Sequence, residues 1–275
     1  MMSFLRRFGR NRAAVLGVGI LLAILDLALF APVFYPENPF RVAGKPFLPP
    51  LSEYFFGTDV LGRDIGAGLA HGARTSLLIG FLATLVAVLI GTLIGGFAGY
   101  YGGLVDNLLM RVTEFFQTIP SFIFAIVLVA ILTPSMKSII IAVAAVTWPP
   151  IARLVRGEFL SFRGREFVQA CVLMGMGDVR IIFRQILPNA VSPIIVTGSL
   201  MVATAILIES ALSFLGLGDP NIMSWGFMVG AGRTHLRTAY WLCAIPGVAI
   251  LLTVLAINLV GEGLNDALNP RLRRL

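Results

Sequence analysis

The sequence predicts an all-α polytopic membrane protein of six transmembrane helices with both termini in the cytoplasm, on three observations. The chain of 275 residues is 57% hydrophobic and only 13% charged, against the ~25% charged share of a soluble domain. Six runs near 13–33, 76–98, 115–134, 138–155, 190–215 and 239–260 come close to the ~20 apolar residues that a helical span requires. The basic residues are also distributed unevenly about those runs. With the N-terminus inside, one side holds Arg6, Arg7, Arg10, Arg12, Arg111, Arg153, Arg156, Arg163, Arg165, Arg180, Arg184, Arg271, Arg273 and Arg274. The other holds Arg41, Lys45, Arg63, Arg74, Lys137, Arg233 and Arg237. This excess on the first side places it in the cytoplasm, accounts for the net charge of +7, and leaves no basic groove for a nucleic acid.

The first run, Ala13 to Val33, is too long for a typical signal-peptide core, contains Asp26 and lacks a small-residue cleavage site. A carboxylate at mid-bilayer costs ~3 kcal/mol on insertion scales. Asp26 is therefore expected to face protein or water, or to sit near the outer interface without a transport role. The outer segment that follows, Phe34 to Ala73, reads F-G-T-D-V-L-G-R-D from Phe56 to Asp64. It lacks the spacing of a calcium loop. Turns at Gly57 and Gly62 are expected, with Asp59 and Asp64 bonding local backbone amides or pairing with Arg63.

Ser76 to Ala98 is the cleanest span, with Gly91, Gly95 and Gly99 four residues apart. Small residues at this spacing let a second helix approach closely. A turn at Gly99–Gly103 leads to a returning span from Phe115 to Pro134. Trp148-Pro149-Pro150 interrupts the fourth run and leaves open that it is re-entrant.

Residues 158–188, E-F-L-S-F-R-G-R-E-F-V-Q-A-C-V-L-M-G-M-G-D-V-R-I-I-F-R-Q-I-L-P, form the one long polar stretch deep between apolar runs. Two short helices are expected. Arg165–Met174 ends where Gly175 can adopt a left-handed conformation, and a second helix N-capped by Asp178 ends at Pro188. Val179, Ile182, Phe183 and Ile186 should share one face, and Arg180 and Arg184 another.

The fifth run carries Glu209, an intramembrane carboxylate and therefore a candidate for the pathway or a subunit interface, unless it only bonds Ser210 or Ser213. The Gly-, Pro- and Trp-containing segment Ser213–Met228 suggests interfacial or partly re-entrant structure outside. The last run includes Asn258 and ends in a basic tail.

No catalytic constellation is visible. Lys45 precedes Pro46 and Lys137 follows Met136, so there is no phosphate-cradling G-x-x-x-x-G-K-[ST]. His71 and His235 form no zinc motif, and Cys171 and Cys243 are expected in a loop and in a span, where they suggest neither a disulfide nor a metal site.

Four stretches together resemble the C-type permease subunit of bacterial dipeptide, oligopeptide and nickel ABC importers. Gln169-Ala170-Cys171 followed by Gly175 and Ile186-Leu187-Pro188 is similar to the E-A-A-x-x-x-G loop that docks on the ATPase, with glutamine replacing the glutamate, cysteine the second alanine, and Glu166 one turn earlier. F-G-T-D-V-L-G-R-D, the Glu209–Gly218 string with Ser224-Trp225-Gly226, and Asn258–Arg271 are similar to further strings of that family. The resemblance implies the type I importer permease fold, divided into an N-terminal helix with its outer segment (1–72), a transmembrane domain with a coupling loop at 158–189 (73–262) and a tail (263–275).

It also implies a non-enzymatic permease half-channel in the bacterial inner membrane. Glu166, Gln169, Ala170, Gly175, Asp178 and Arg180 would be its ATPase-coupling residues, with Glu209 and Asn258 candidates for the pathway or subunit interface. No cofactor is expected on this chain, ATP and magnesium belonging to two partner ATPases. A homologous second permease and an external substrate-binding protein complete the implied assembly. The competing reading is a stand-alone ion-coupled transporter or channel, for which Asp26 and Glu209 would be the coupling carboxylates.

Overall fold

The computed structural model describes residues 8–268. Arg6, Arg7, Arg271, Arg273, Arg274 and most of the expected basic tail lie outside the described residues. Among the described residues, five helices are each long and apolar enough to cross a membrane. They are α1 (Arg12–Phe34), α2 (Ile65–Tyr101), α5 (Met136–Arg163), the continuous helical stretch Asp178–Phe214, and α10 (Trp241–Leu268). Between α2 and α5 lie α3 (Gly103–Thr118) and α4 (Ser121–Leu132), bent by 86°.

That bend corrects the third expected span. Pro120 restricts the residue before it, and Ile119 accordingly takes an extended conformation (φ −89°, ψ 129°) that ends α3. The twelve residues of α4 reach only about 18 Å as a helix. The sixth crossing exists only when α3 and α4 are taken as one broken span. The fourth span differs in the opposite sense: α5 is one helix of 28 residues through Pro149 and Pro150. Two thirds of its apolar stretch is buried, far more than in any other long helix. Close neighbours make such prolines tolerable in membrane helices.

The second span is longer than expected, since α2 begins at Ile65 and runs through residues 72 and 73 without a break. Asp64 caps it by accepting from the Gly66 amide at 2.8 Å. Gly91, Gly95 and Gly99 line the face of α2 that meets α5. A Cβ on Gly95 would lie 2.2 Å from the Ala152 carbonyl oxygen, and one on Gly99 2.6 Å from Phe159 Cβ. The expected close approach is thus an internal one, between the second and fourth spans.

Two ends of the bundle can be distinguished. At one, Asn11 before α1 donates to Asp266 near the end of α10 at 3.2 Å, and Arg163 at the end of α5 donates to the Tyr101 carbonyl at 3.3 Å. The described chain ends therefore share the end that carries residues 164–186. The far end holds the segment 35–64, in which Gly57 and Gly62 turn the chain as expected, at φ +79° and +78°. Asp59 accepts from the Leu61 and Arg63 amides, both at 2.8 Å. Of the two alternatives expected for Asp59 and Asp64, the backbone bonds form and the Arg63 ion pair does not; the Arg63 guanidinium lies 4.9 Å over the Phe40 ring. Burial raises the Asp64 carboxyl above the usual carboxylate range, opposed by the backbone amides of Gly66 and Ala67.

Also at the far end, the 213–228 segment folds into the short helix α9 (Trp225–Gly232). Trp225 is fully buried and its Nε1 donates to the Leu69 carbonyl at 3.0 Å, so it is a core side chain and not an interfacial one. Asp26 is exposed on α1 with no partner among the described residues.

Candidate functional site

The polar stretch folds into a helical hairpin at the end of the bundle. Its first arm, α6 (Glu166–Leu173), stops one residue short of the expected boundary at each end. Gly175 has φ +73°, a conformation costly for residues with a Cβ. It closes a paired C-terminal motif in which Gly175 N–H donates to the Val172 carbonyl (2.9 Å) and Met176 N–H to the Cys171 carbonyl (3.1 Å).

The second arm departs from expectation. Gly177 is the N-cap, and Asp178 is the first residue of α7 (Asp178–Ile181). The Asp178 carboxylate instead accepts from the Tyr100 hydroxyl at 2.8 Å, tying the hairpin to the end of α2. Pro188 does not end the arm. A π-turn over Ile182–Ile186 leads directly into α8 (Leu187–Phe214), with Pro188 in its first turn. The wider turn accommodates a residue that has no amide proton and whose ring crowds the preceding turn.

The buried face is displaced from the expected one. Ile181, Ile182 and Ile186 are buried, while Val179 and Phe183, expected beside them, are exposed. The buried three join Val168, Cys171, Val155 and Phe159 in one cluster, which anchors both arms on α5. Glu166, Gln169, Ala170, Gly175, Asp178 and Arg180 are all exposed. Gln169 Nε2 donates to the Arg163 carbonyl at 3.2 Å, linking α6 to the end of α5. The hairpin tip adds a feature the sequence reading passed over: Leu173 is 88% and Met174 73% exposed. Two large apolar side chains before a turn glycine, within a polar stretch, are the signal that marks them.

Glu209 and Asn258 are not brought together with the hairpin. The Glu209 side chain is 0% exposed and accepts from Ser213 Oγ (2.8 Å), Ser210 Oγ (3.3 Å) and Ser76 Oγ (3.3 Å). Ser76 Oγ in turn accepts from the Trp225 amide at 3.3 Å. The carboxylate thus joins α2, α8 and the start of α9 inside the chain, and offers no surface to a partner or solute in this conformation. Asn258 is partly exposed on α10. Among the described residues no three of the His, Cys, Asp or Glu side chains converge as metal ligands would.

A bundle of membrane-length helices with a helical hairpin at one end is the architecture of a multi-span membrane protein. The family described as "Binding-protein-dependent transport system inner membrane component" matches residues 91–274, and the chain belongs to it. Residues 1–50 match the N-terminal TM domain of oligopeptide transport permease C.

Among curated relatives, the dipeptide transport system permease protein DppC of Escherichia coli is 42% identical over 282 residues, covering 100% of this chain and 94% of that protein. DppC of Alkalihalophilus pseudofirmus is 42% identical over 275 residues, covering 98% and 89%. The di/tripeptide permease DppC of Pseudomonas aeruginosa is 39% identical over 278 residues, covering 98% and 92%. A solved structure of the MetNI methionine ABC transporter in an inward-facing conformation aligns with TM-score 0.58 at 17% identity, over 71% of this chain and 93% of the matched one. At that identity the likeness speaks for the type I importer permease fold. The chain is therefore a membrane-spanning permease subunit of the ABC importer class, and the ion-coupled alternative is set aside.

Proposed function

We propose that this permease forms half of the translocation pathway of an ATP-driven importer of peptides, and that the 158–189 loop is its docking surface for a separate ATP-hydrolysing subunit. The observation that carries the reading is the hairpin tip, where Leu173 and Met174 stand exposed on arms pinned by a buried apolar cluster and by the Tyr100–Asp178 hydrogen bond. Apolar side chains held outward on a rigid support are complementary to a partner's hydrophobic pocket, in the manner of interface anchors. Glu166, Gln169, Asp178 and Arg180 supply the polar rim around them.

The hairpin and both chain ends face the cytoplasm of a bacterial cell in this reading, in accord with the basic excess on that side. The far end, with residues 35–64 and α9, faces a substrate-binding protein. A homologous permease supplies the other half of the pathway, and ATP and magnesium act on the two docked subunits. Closure of those subunits around ATP would move the hairpins together as rigid bodies and so rock the two halves of the pathway.

The test is uptake in proteoliposomes that contain the reconstituted assembly. Dipeptide accumulation should require both internal ATP and the external binding protein, and should ignore an imposed proton or sodium gradient. Uptake driven by the gradient alone would overturn the reading.

A further inference from the structure

A cleft of about 460 Å³ lies between α3 and α5, toward the hairpin end, lined by Asp106, Asn107, Arg111, Glu114, Arg153 and Arg156 among others. Its volume is within the ~300–1,000 Å³ typical of small-molecule sites, but its lining is unusually charged for a chain this apolar. One pair is already satisfied. Arg156 Nε and Nη2 donate to the two Asp106 oxygens at 2.5 and 2.6 Å, a bidentate bridge that fixes α3 against α5.

The remaining charges are not satisfied among the described residues. Arg111, Arg153 and Glu114 have no ion-pair partner among the described residues. Arg153 lies seventeen residues beyond Met136 on α5, roughly 26 Å along a helix, and thus near the inner boundary of a ~30 Å hydrocarbon core. Charged side chains near such a boundary reach toward water or bind charge rather than lie against lipid tails. Two guanidiniums and one carboxylate around a polar cleft form a surface complementary to a zwitterion whose negative end is bound more strongly.

We propose that this cleft is a transient solute site on the inner half of the pathway, with Arg111 and Arg153 holding the carboxylate of a passing peptide and Glu114 facing its ammonium group. The proposal rests on the importer reading, and it adds a specificity element to the permease itself. Arginine suits the task because its planar fork matches a carboxylate and stays charged at every physiological pH.

The test uses the full assembly in proteoliposomes carrying Asn107→Cys on an otherwise cysteine-free chain, without ATP or binding protein. The rate of modification by an anionic methanethiosulfonate, relative to a cationic one, reports the field in the cleft. Arg111→Gln with Arg153→Gln should lower that ratio at least threefold. Millimolar dipeptide should slow labelling in the parent, its C-terminal amide should slow it less, and neither should protect the double variant. An unchanged ratio, an Asn107→Cys thiol that does not react, or equal protection by acid and amide would overturn the proposal. So would labelling that responds only to the anionic lipid content of the vesicles, which would assign the arginines to phospholipid headgroups. Peptide protection does not depend on ATP, so loss of ATP-driven uptake would count against the importer reading alone.

Discussion

Gly95→Ala places one methyl group where the backbones of α2 and α5 touch. The new Cβ would sit 2.2 Å from the Ala152 carbonyl oxygen and 2.9 Å from Val155 Cβ. Ordinary contact begins near 3.4 Å, so one helix must move by about 1 Å, the difference between ordinary contact and the 2.2 Å clash. The obstructing atom is backbone and cannot swing aside. Such a gap forfeits a quarter to a half of the dispersion energy of each atom pair along the seam, and Gly91 and Gly99 lie on the same seam. Overpacking of this kind costs about 1–3 kcal/mol.

Gly157→Ala provides the control. Its Cβ would meet nothing within 4 Å, and a helix-interior alanine gains about 0.5–1 kcal/mol over glycine. The thermal unfolding midpoint of the purified permease in detergent should therefore fall by several degrees for Gly95→Ala and hold or rise for Gly157→Ala. A Gly95→Ala protein as stable as the parent would refute the reasoning that backbone contact sets the α2–α5 distance.

Glu209→Gln keeps the shape of the side chain but replaces one acceptor oxygen with a donor among serine hydroxyls, with an expected cost of about 1–3 kcal/mol for buried groups left unmatched. Lower thermal stability and partial loss of uptake are expected, with non-additivity of about 0.5–3 kcal/mol against Ser76→Ala in a double-mutant cycle; parent-like stability and uptake would remove any role for the carboxylate. Cysteines at Ser161 and Asn221, both exposed, should react from opposite faces of intact cells, Asn221→Cys from outside. Reaction of both from one face would contradict the orientation.

The helices and the turn of the hairpin were legible because they depend on local chemistry. Long apolar runs and a glycine at a left-handed position announce themselves in any context. The misreadings share a different cause. Pro120, Pro188 and the Pro149-Pro150 pair have the same local effect, yet one breaks a helix, one sits in a first turn behind a π-turn, and two are absorbed in the interior. Only the tertiary surroundings separate these outcomes: α5 is enclosed by neighbours, whereas α3 and α4 lie at its edge. Tyr100 and Asp178 are 78 positions apart, and Ser76 and Glu209 are 133 apart. Pairings at such separations leave no trace in spacing, so Asp178 read as a cap, and of the Glu209 partners only the neighbouring Ser210 and Ser213 were foreseen, not Ser76. The cleft between α3 and α5 was hidden for the same reason, its arginines being counted only toward orientation.

Docking of the ATP-hydrolysing subunit on the hairpin is measured most directly by co-purification with Leu173→Asp and Gly175→Val permeases. Leu173 is 88% exposed, so a charge there leaves the fold intact while opposing an apolar pocket. Valine at φ +73° meets strain of roughly 1–2 kcal/mol and re-aims the second arm without touching a span. Both variants should insert and retain the partner permease, yet lose the ATP-hydrolysing subunit during purification along with binding-protein-stimulated hydrolysis. Retention of that subunit and of stimulated hydrolysis at parent level in both variants would contradict the docking role of the hairpin.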